Sequence, residues 1–371
     1  MAIRILTYLH ARRTMGNITG VGQHMLNMIL GLARLPGVEQ VLLASGPEVR
    51  QRAEVDPDWP LQNLPMRTFP LSRGLMQRIW WATHFPRAEH WYKEADWVYA
   101  PADAYVPTSK ARYAVTIHDI EVFEEDLPWY TPEERRRGQR NWGMRLKPML
   151  AHAAVILTVS EFSKQRMVQL LGVDPGRIAV VGNGIDPAVF NETVSPDPEY
   201  AGSPPYLLTI GGITSRKGGD ALIELARRLQ ERKSAVRILV AGKSQPHYAE
   251  QARELANIVQ LGYVPAERLP GLLRGALALL FLSRYEGFGI PIIEAFACGT
   301  PAIISSYSSL PEVGGDAAIV AEAARPEETI EYISRLMDDS AYRRERVELG
   351  RRIVQRFTWD ACVQRLLQAL K

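Results

Sequence analysis

Residues 284–294 read Arg-Tyr-Glu-Gly-Phe-Gly-Ile-Pro-Ile-Ile-Glu, and this stretch decides the fold. The short apolar run before it, 276–282, predicts a buried strand, and the residues after it predict a helix. Gly287 and Gly289 let the backbone turn, and Pro291 suits the first turn of a helix. A strand, a glycine loop and a helix in this order offer backbone N–H groups and the positive end of a helix dipole. This arrangement suits a phosphate group.

Two carboxylates flank this predicted phosphate site. Glu286 lies in the loop, and Glu294 is expected in the opening turn of the helix, so that both face one crevice. A carboxylate repels an anion but accepts hydrogen bonds from two neighbouring sugar hydroxyls. The same pattern is also ordinary for a connection in an α/β protein, where glutamate compensates the helix dipole. The residues alone leave both interpretations open.

Length and composition favour two soluble domains. The chain has 371 residues, which exceeds one ordinary domain, with 46% hydrophobic and 23% charged residues. No apolar run is long enough to span a membrane, and residues 1–6 read as a strand rather than a signal peptide. The two cysteines make neither a disulfide framework nor a metal cluster, so we expect a cytoplasmic protein.

The charge is close to balanced. A net charge of +3 is too small to indicate nucleic-acid binding. The residues before Asn183 carry a net charge of +4 and those after it −1, which allows an anionic acceptor or an anionic membrane surface on the first half. Residues 74–97 carry several tryptophans among basic residues, as interfacial membrane helices do, but Pro86 interrupts them and core packing is the alternative.

The first strand and helix enclose a glycine-rich loop. Residues 3–8 predict a strand, and a helix is expected near 21–35. Gly16 and Gly22 in the loop between them allow close approach to a ligand. The strict dinucleotide fingerprint fails because Met25 stands where its third glycine is needed.

Strands and helices alternate in both halves of the chain, which predicts two doubly wound α/β domains. The region 44–70 reads as a proline-rich connection, and 187–205 reads as a linker because it holds four prolines after position 195 and no apolar periodicity. Further strands are predicted over 41–44, 113–117, 155–159, 178–181, 236–241 and 302–306, and another strand starts at 206. Further helices are predicted over 131–153 and 361–370, and two more start after Ser160 and at 327.

Arg216 and Lys217 lie between glycine pairs after the strand that starts at 206. A forked guanidinium and an ammonium in a glycine loop suggest a diphosphate clamp, although an isolated Arg-Lys is often a solvated turn. No D-x-D pair is placed to hold a divalent metal, so we expect no cofactor. The two basic residues and the helix N-terminus at Ile290 would then neutralise the charge of the diphosphate.

The opening stretch resembles the E-x7-E motif of the large retaining GT-B glycosyltransferase family four. Agreement extends in order to His118-Asp119, Asn183-Gly184-Ile185-Asp186, Gly262-Tyr263-Val264-Pro265 and 308–312. The resemblance implies two doubly wound Rossmann-like domains facing a central cleft. The implied boundaries are 1–186 for an acceptor-side domain, 187–205 for the linker, 206–356 for a nucleotide-sugar domain and 357–371 for a helix that crosses back to the first domain.

The resemblance also implies residue roles. Glu286 would contact the donor sugar, Glu294 the ribose, and His118 would approach the transferred sugar, so that His118 and Glu286 are the catalytic candidates. Many members carry an arginine where Gly212 stands, and the form with only the later Arg-Lys pair resembles mannosyltransferases. The implied donor-binding residues are Gly22, Asn183, Gly212, Arg216, Lys217, Gly262, Tyr263, Val264, Glu286, Gly287, Phe288, Gly289, Ile290 and Glu294.

The sequence thus predicts a retaining hexosyltransferase that uses a nucleotide sugar. GDP-mannose is the expected donor, and a glycan or a lipid-linked molecule is the expected acceptor. A glucose or N-acetylglucosamine donor, a sugar-nucleotide epimerase and a non-catalytic glycan-binding subunit stay open as alternatives. We expect a cytoplasmic location, with peripheral contact at the inner membrane surface left open.

Overall fold

The computed structural model describes residues 2–14, 19–56, 58–322 and 324–371. The chain divides into two compact units: residues 1–184 together with 359–371 form the first unit, and residues 185–358 form the second. Each unit has a parallel sheet covered by helices, which confirms the predicted α/β class with two Rossmann-like domains. None of the helices in the described residues is long and apolar enough to span a membrane.

The sheet of the first unit contains seven strands in the described part of the chain, all paired in parallel, in the order β3-β2-β1-β4-β5-β6-β7. The order reverses between β1 and β4, as in a doubly wound fold. The strands are β1 (Ile3–Leu9), β2 (Val38–Ser45), β3 (Met66–Phe69), β4 (Trp97–Ala100), β5 (Arg112–Thr116), β6 (Val155–Thr158) and β7 (Ile178–Val180).

Helices cover this sheet, and their starts follow ordinary capping chemistry. Thr131 and Glu134 form a reciprocal capping box at the start of α4, and Ser160 accepts the N–H of Ser163 at 3.0 Å at the start of α5, as the sequence predicts. The helices are α1 (Gly20–Ala33), α2 (Gly46–Val55), α3 (Arg73–Thr83), α4 (Pro132–His152) and α5 (Glu161–Leu171).

Both faces of the first sheet are buried. Leu6 belongs to the core on one face and Ile5 to the core on the other, and neither is exposed to solvent. Because parallel strands are covered on both sides, they read as continuous apolar runs. Trp80, from the tryptophan-rich region, is fully buried; its indole packs edge-on against Phe69 and donates to the carbonyl oxygen of Pro86 at 2.8 Å.

The prediction of a plain connection over 44–70 is wrong, since α2 and β3 lie there. Helix α2 carries few apolar residues and β3 has only four residues. Neither element therefore shows a clear hydrophobic period in the sequence.

The second unit has six strands within the described residues, all parallel, in the order β10-β9-β8-β11-β12-β13. Its strands are β8 (Tyr206–Ile210), β9 (Arg237–Ala241), β10 (Ile258–Gly262), β11 (Ala278–Phe281), β12 (Ala302–Ile304) and β13 (Ile319–Val320). Its helices are α6 (Gly219–Glu231), α7 (Pro246–Arg253), α8 (Leu269–Gly275), α9 (Ile290–Ala297), α10 (Leu310–Gly314), α11 (Pro326–Asp338) and α12 (Ser340–Val354).

The stretch 187–205, predicted as a linker, is packed within the second unit. The Asp197 N–H donates to the carbonyl oxygen of Gly271 at 3.0 Å, and the Asp197 carboxylate accepts two bonds of 2.9 Å from Arg268. The final helix, α13 (Trp359–Ala369), belongs to the first unit and packs on α1 so closely that Gly31 has no room for a side chain.

Candidate active site

Strands β8 and β11 lie side by side at the point where the strand order of the second sheet reverses. Open α/β sheets bind ligands outside the carboxyl ends of the strands at such a point. The segments that leave these two strands are joined there, because the Arg284 N–H donates to the carbonyl oxygen of Arg216 at 2.8 Å. The predicted clamp and the opening motif of the sequence are thus brought together at one sheet edge.

The loop after β8 depends on two glycines. Gly212 has a φ of +74°, and a Cβ at this position would lie 2.1 Å from the carbonyl oxygen of Lys243. Gly218 has a φ of +72°, and its Cβ would lie 2.1 Å from the carbonyl oxygen of Leu282. Only glycine fits at either position on this backbone. An arginine at 212 would therefore require a different loop path.

Lys217 and Glu286 form an ion pair at the centre of this edge. The Lys217 Nζ donates to Glu286 Oε1 at 2.5 Å, and the two side chains are only 15% and 12% exposed. Arg216 contributes a second positive charge, with its Nη1 at 3.6 Å from Glu286 Oε2 and donating to the carbonyl oxygen of Tyr285 at 3.2 Å. The Lys217 ammonium also lies 4.6 Å from the centre of the Phe281 ring.

The two cations decide the protonation of Glu286. Burial by itself raises the pKa of this carboxyl, but the charges of Lys217 and then Arg216 outweigh burial and hold the pKa below its ordinary value. Glu286 is therefore ionised at neutral pH. As an ionised carboxylate it can only accept hydrogen bonds, which is the chemistry needed to hold sugar hydroxyls.

Two serines that sequence reasoning did not single out as site residues fix the glycine loop. The Glu286 N–H donates to Ser308 Oγ at 3.0 Å, and the Ser309 hydroxyl lies 2.9 Å from the carbonyl oxygens of both Glu286 and Phe288. Both serines follow β12, the strand next to β11. Small hydroxyl residues at the carboxyl end of a neighbouring strand were the signal available in the sequence.

Gly289 ends the loop and α9 begins at Ile290. Gly289 has a φ of +106°, and a Cβ there would lie 2.8 Å from a methyl carbon of Leu310. Phe288 is buried edge-on against Phe357, with ring centres 5.6 Å apart. The N-terminus of α9 is thus held at the same sheet edge as Gly287 and the ion pair.

Glu294 does not lie in the opening turn of the helix, and that expectation is wrong. Because α9 begins at Ile290, Glu294 is its fifth residue and lies in the second turn, where it is 3% exposed. Burial, and then the negative charge of Glu294, raise the pKa of the Cys298 thiol to about 12. Glu294 is therefore an interior carboxylate whose charge acts on the carboxyl-terminal half of α9.

Residues 262–264 lie at the same edge of the sheet, at the end of β10. The carbonyl oxygen of Gly262 accepts the N–H of Gly242 at 2.6 Å, and Gly262 has a φ of +64°. Tyr263 is 63% exposed, whereas Val264 is half-buried. The structure thus leaves the Tyr263 ring available to a ligand at the strand end.

In the first unit, His118 and Asn183 lie on either side of a buried histidine, His24. His24 Nδ1 donates to Asn183 Oδ1 at 2.9 Å, and the rings of His24 and His118 meet edge to face with centres 4.8 Å apart. Sequence reasoning missed His24. Its position in α1, two residues after Gly22, was the only sign in the sequence.

Both histidines are neutral at physiological pH. Burial lowers the pKa of His118 to about 4, and burial with the nearby His118 lowers that of His24 to about 3. His118 Nε2 donates to the carbonyl oxygen of Pro101 at 3.2 Å, so its proton sits on Nε2. Gly22 is buried in the first turn of α1, and its N–H donates to Thr19 Oγ1 at 3.3 Å. Gly16 lies outside the described residues.

Comparisons with known proteins cover nearly the whole chain. The family described as Glycosyltransferase Family 4 matches residues 18–189, and the family described as Glycosyl transferases group 1 matches residues 191–353. The chain is 28% identical over 377 aligned positions to the O-antigen chain mannosyltransferase B of Escherichia coli, covering 95% of this chain and 96% of that protein. It is 22% identical over 357 positions to the D-inositol 3-phosphate glycosyltransferase of Segniliparus rotundus, covering 91% of this chain and 76% of that one.

The fold is shared with solved structures. HepE from Anabaena, whose crystal structure contains UDP and glucose, superposes with a TM-score of 0.71 at 16% identity, covering 99% of both chains. This likeness confirms the predicted GT-B fold class.

Proposed function

This chain belongs to the group 1 glycosyltransferases and transfers a sugar from a nucleotide sugar, and from that premise we propose that the sugar is mannose, carried by GDP, and that the anomeric configuration is retained. The acceptor is a glycan or a lipid-linked glycan. Similarity to an O-antigen mannosyltransferase over nearly all of both chains supports the choice of sugar. The observation that carries the site is the pairing of Lys217 with Glu286 at the switch point of the second sheet.

The basic residues have a defined task in this proposal. As the bond between the anomeric carbon and the phosphate oxygen breaks, negative charge develops on the diphosphate. Lys217 and Arg216 neutralise it together with the backbone N–H groups at the start of α9, and no metal ion is needed. The site is largely buried, which strengthens these interactions relative to water.

Glu286 orients the sugar that is transferred. Its ionised carboxylate accepts hydrogen bonds from two sugar hydroxyls, and its bond to Lys217 keeps it from repelling the diphosphate. We assign Glu294 to the ribose and residues 262–264 to the base. His118 is kept as a contact of the transferred sugar; because its pKa is lowered to about 4 it is a weak base, and we assign it to orienting the sugar rather than to removing a proton.

Retention follows when the acceptor attacks from the face that the phosphate leaves. The acceptor oxygen forms the new bond to the anomeric carbon, and its proton passes to the departing phosphate oxygen. The products are a glycoside and a nucleoside diphosphate. No protein carboxylate is then required as a nucleophile, which fits the engagement of Glu286 with Lys217.

The test compares GDP-mannose with UDP-glucose and UDP-N-acetylglucosamine on mannose-containing oligosaccharides. We expect transfer from GDP-mannose alone, and an α-linked product by NMR. Lys217→Ala is expected to lower kcat by roughly 100- to 1,000-fold, whereas Arg253→Ala, which removes an exposed charge from α7, is the matched control with native activity. Transfer from a UDP-sugar would overturn the donor, and a β-linked product would overturn retention.

The same reactions, run with and without acceptor, separate the alternative functions. An epimerase would convert the nucleotide sugar by itself, and a non-catalytic subunit would release no nucleoside diphosphate under any condition. Either result would contradict the proposal.

A peripheral membrane contact is a second proposal, and it concerns α3 and α4 of the first unit. These helices meet where Arg145 lies over the Trp81 ring, 5.8 Å from its centre. Phe85 and Met144 are 66% and 62% exposed, and exposed basic residues, including Arg140, lie along α4. We propose that this surface contacts anionic lipid on the cytoplasmic face of the membrane.

Vesicle flotation tests this contact. Vesicles that contain phosphatidylglycerol should capture the chain at low salt, and the double variant Phe85→Ser with Met144→Ser should stay in solution. Equal capture by purely zwitterionic vesicles, or by the double variant, would contradict the proposal.

A further inference from the structure

A pocket in the second unit is lined by residues outside the sheet edge that carries the candidate active site. Its volume is 490 Å³, and it lies between the carboxyl-terminal end of α9, at Gly299, and one face of α12. Four arginines and two glutamates line it. Helix α9 therefore reaches from the glycine loop at Ile290 to this pocket at its other end.

The two glutamates of the pocket are already neutralised. Arg351 donates from Nε and Nη2 to the two carboxylate oxygens of Glu192, at 2.8 and 2.6 Å, and from Nη1 to Glu348 at 2.5 Å. Arg352, outside the pocket lining, donates to the other carboxylate oxygen of Glu348 at 3.2 Å. The hydrogen bonds and charge of Arg351, together with the charge of Arg274, lower the pKa of the Glu192 carboxyl, but the two glutamates are fewer than the four arginines that line the pocket.

Among the described residues, three arginines of the pocket form no direct ion pair. Within the part of the chain that the structure describes, no carboxylate oxygen lies within 4.0 Å of the guanidinium groups of Arg274, Arg343 or Arg344. Arg274 donates to the carbonyl oxygen of Cys298 at 3.2 Å, and Arg344 donates to Ser340 Oγ at 3.2 Å. With four arginines against two glutamates, the lining of the pocket carries an excess of positive charge.

Arg343 and Arg274 are close enough to repel each other. Burial, and then the charge of Arg274, lower the pKa of Arg343 below its ordinary value. Gly299 makes room for this arrangement: a Cβ at that position would lie 3.0 Å from Arg274 Nη1. An anion placed between the two guanidinium groups would relieve the repulsion.

We propose that this pocket, called the Arg343 pocket from here on, binds the phosphoryl group of a phosphorylated small molecule. Planar guanidinium forks match the oxygens of a phosphate, and each oxygen can take a charge-assisted hydrogen bond. The volume exceeds that of a single phosphate and lies within the range of small-molecule sites. The proposal does not depend on the identity of the donor sugar.

Thermal unfolding with inorganic phosphate and pyrophosphate as probes tests the pocket. Each probe is added at about 10 mM with ionic strength held constant by sodium chloride, because a ligand that binds only the folded state raises the Tm. Pyrophosphate is expected to bind at Lys217 as well, so four proteins are compared: the native chain, Arg343→Ala, Lys217→Ala and the double variant. Arg253→Ala serves as the control for loss of one exposed positive charge.

We expect Lys217→Ala to keep the part of the rise in Tm that comes from the Arg343 pocket, and Arg343→Ala to lose this part. The double variant should show no rise in Tm. Arg253→Ala should behave as the native chain does. The Arg343 side chain enters the pocket from α12 and stays partly exposed to solvent, and circular dichroism of Arg343→Ala and Arg343→Gln checks that both variants keep the native fold.

The proposed pocket is refuted if the probes raise the Tm of Arg343→Ala and Arg343→Gln as much as that of the native chain. It is also refuted if Lys217→Ala by itself abolishes the rise in Tm. If instead Lys217→Ala leaves the rise unchanged while Arg343→Ala abolishes it, the Arg343 pocket stands and the diphosphate clamp is wrong. The two proposals therefore fail separately.

Discussion

Replacing Lys217 with alanine should reverse the contribution of Glu286 to the pH dependence of stability in the second unit. Ionised Glu286 stabilises the native chain, whereas it should destabilise the variant. In the native chain, Lys217 Nζ lies 2.5 Å from Glu286 Oε1, and neither side chain is well exposed. Burial raises the pKa of Glu286, and the two neighbouring cations bring it below its ordinary value. Without Lys217, Arg216, at 3.6 Å, and a smaller contribution from the Ser283 hydroxyl oppose the effect of burial on the pKa of Glu286.

The size of the loss follows from the burial of the pair. Removing one partner of a buried ion pair costs about 3–5 kcal/mol, and the remaining Arg216 reduces this to roughly 2–3 kcal/mol. For a unit of this size each kcal/mol lowers Tm by roughly 2–4 °C, so we expect a loss of about 5–10 °C at neutral pH.

The pH dependence gives the sharper test. In the native chain the pKa of Glu286 is lowered on folding, so the group adds stability above its unfolded value, about 4.3, and the added stability is lost as the pH falls through the folded pKa. In Lys217→Ala burial dominates and the folded pKa lies above the unfolded value. Glu286 then destabilises the unit at neutral pH, and protonation relieves this as the pH falls.

Differential scanning calorimetry at about pH 7 and about pH 4.5 measures the difference between the two proteins. The gap in Tm should narrow clearly at the lower pH, while Arg253→Ala should follow the native chain at both. A gap of equal size at the two pH values, or no gap at neutral pH, would refute the assignment of Lys217 as the group that holds Glu286 ionised.

Three further predictions concern other parts of the two units. Glu286→Gln should lower kcat/KM by roughly 10- to 100-fold, because a charged acceptor of the sugar hydroxyls is lost; an unchanged value in steady-state kinetics would contradict the sugar contact. The pKa of His24 is about 3 in the folded chain and about 6.5 in the unfolded chain, so the free energy of unfolding should rise with pH between these values. Urea unfolding of His24→Gln should show a shallower rise with pH, and an unchanged slope would contradict the burial of His24 as a neutral imidazole. Gly212→Ala should lower the Tm of the second unit by more than Gly202→Ala, since both have positive φ but only Gly212 would meet another backbone; equal losses would argue against the clash.

The strands were largely predictable because both faces of each sheet are buried. The run 113–117 became β5 (Arg112–Thr116), and 236–241 became β9 (Arg237–Ala241). Helix α2 escaped notice because it is polar, and only its neighbours in the fold hold it in place. The spacing of apolar residues predicts an element well when the element is buried, because burial requires apolar side chains at regular positions. It predicts an element poorly when the element is polar and is held by contacts with the rest of the fold.

The candidate site was predictable as residue types but not as contacts. The glycine loops indicated where Arg216, Lys217 and Glu286 lie, yet the bond between Lys217 and Glu286 joins residues 69 positions apart and has no local sign. The predicted helix start at Ile290 was right, but Glu294 is the fifth residue from that start and so lies one position beyond the first turn to which it was assigned. His24 was missed because a single histidine in an apolar helix has no distinguishing pattern.

Tyr263 and Lys217 differ in a way that matters for protein engineering. Tyr263 projects from the end of β10 with 63% of its surface in solvent, whereas Lys217 is enclosed by Glu286, Phe281 and glycine backbone. Exposed substitutions usually change stability by less than about 0.5 kcal/mol. A saturation library at position 263 should therefore leave most of its members folded and can test the proposed contact with the base, whereas substitutions at Gly212 or Gly218 would meet backbone carbonyl oxygens and destabilise the second unit.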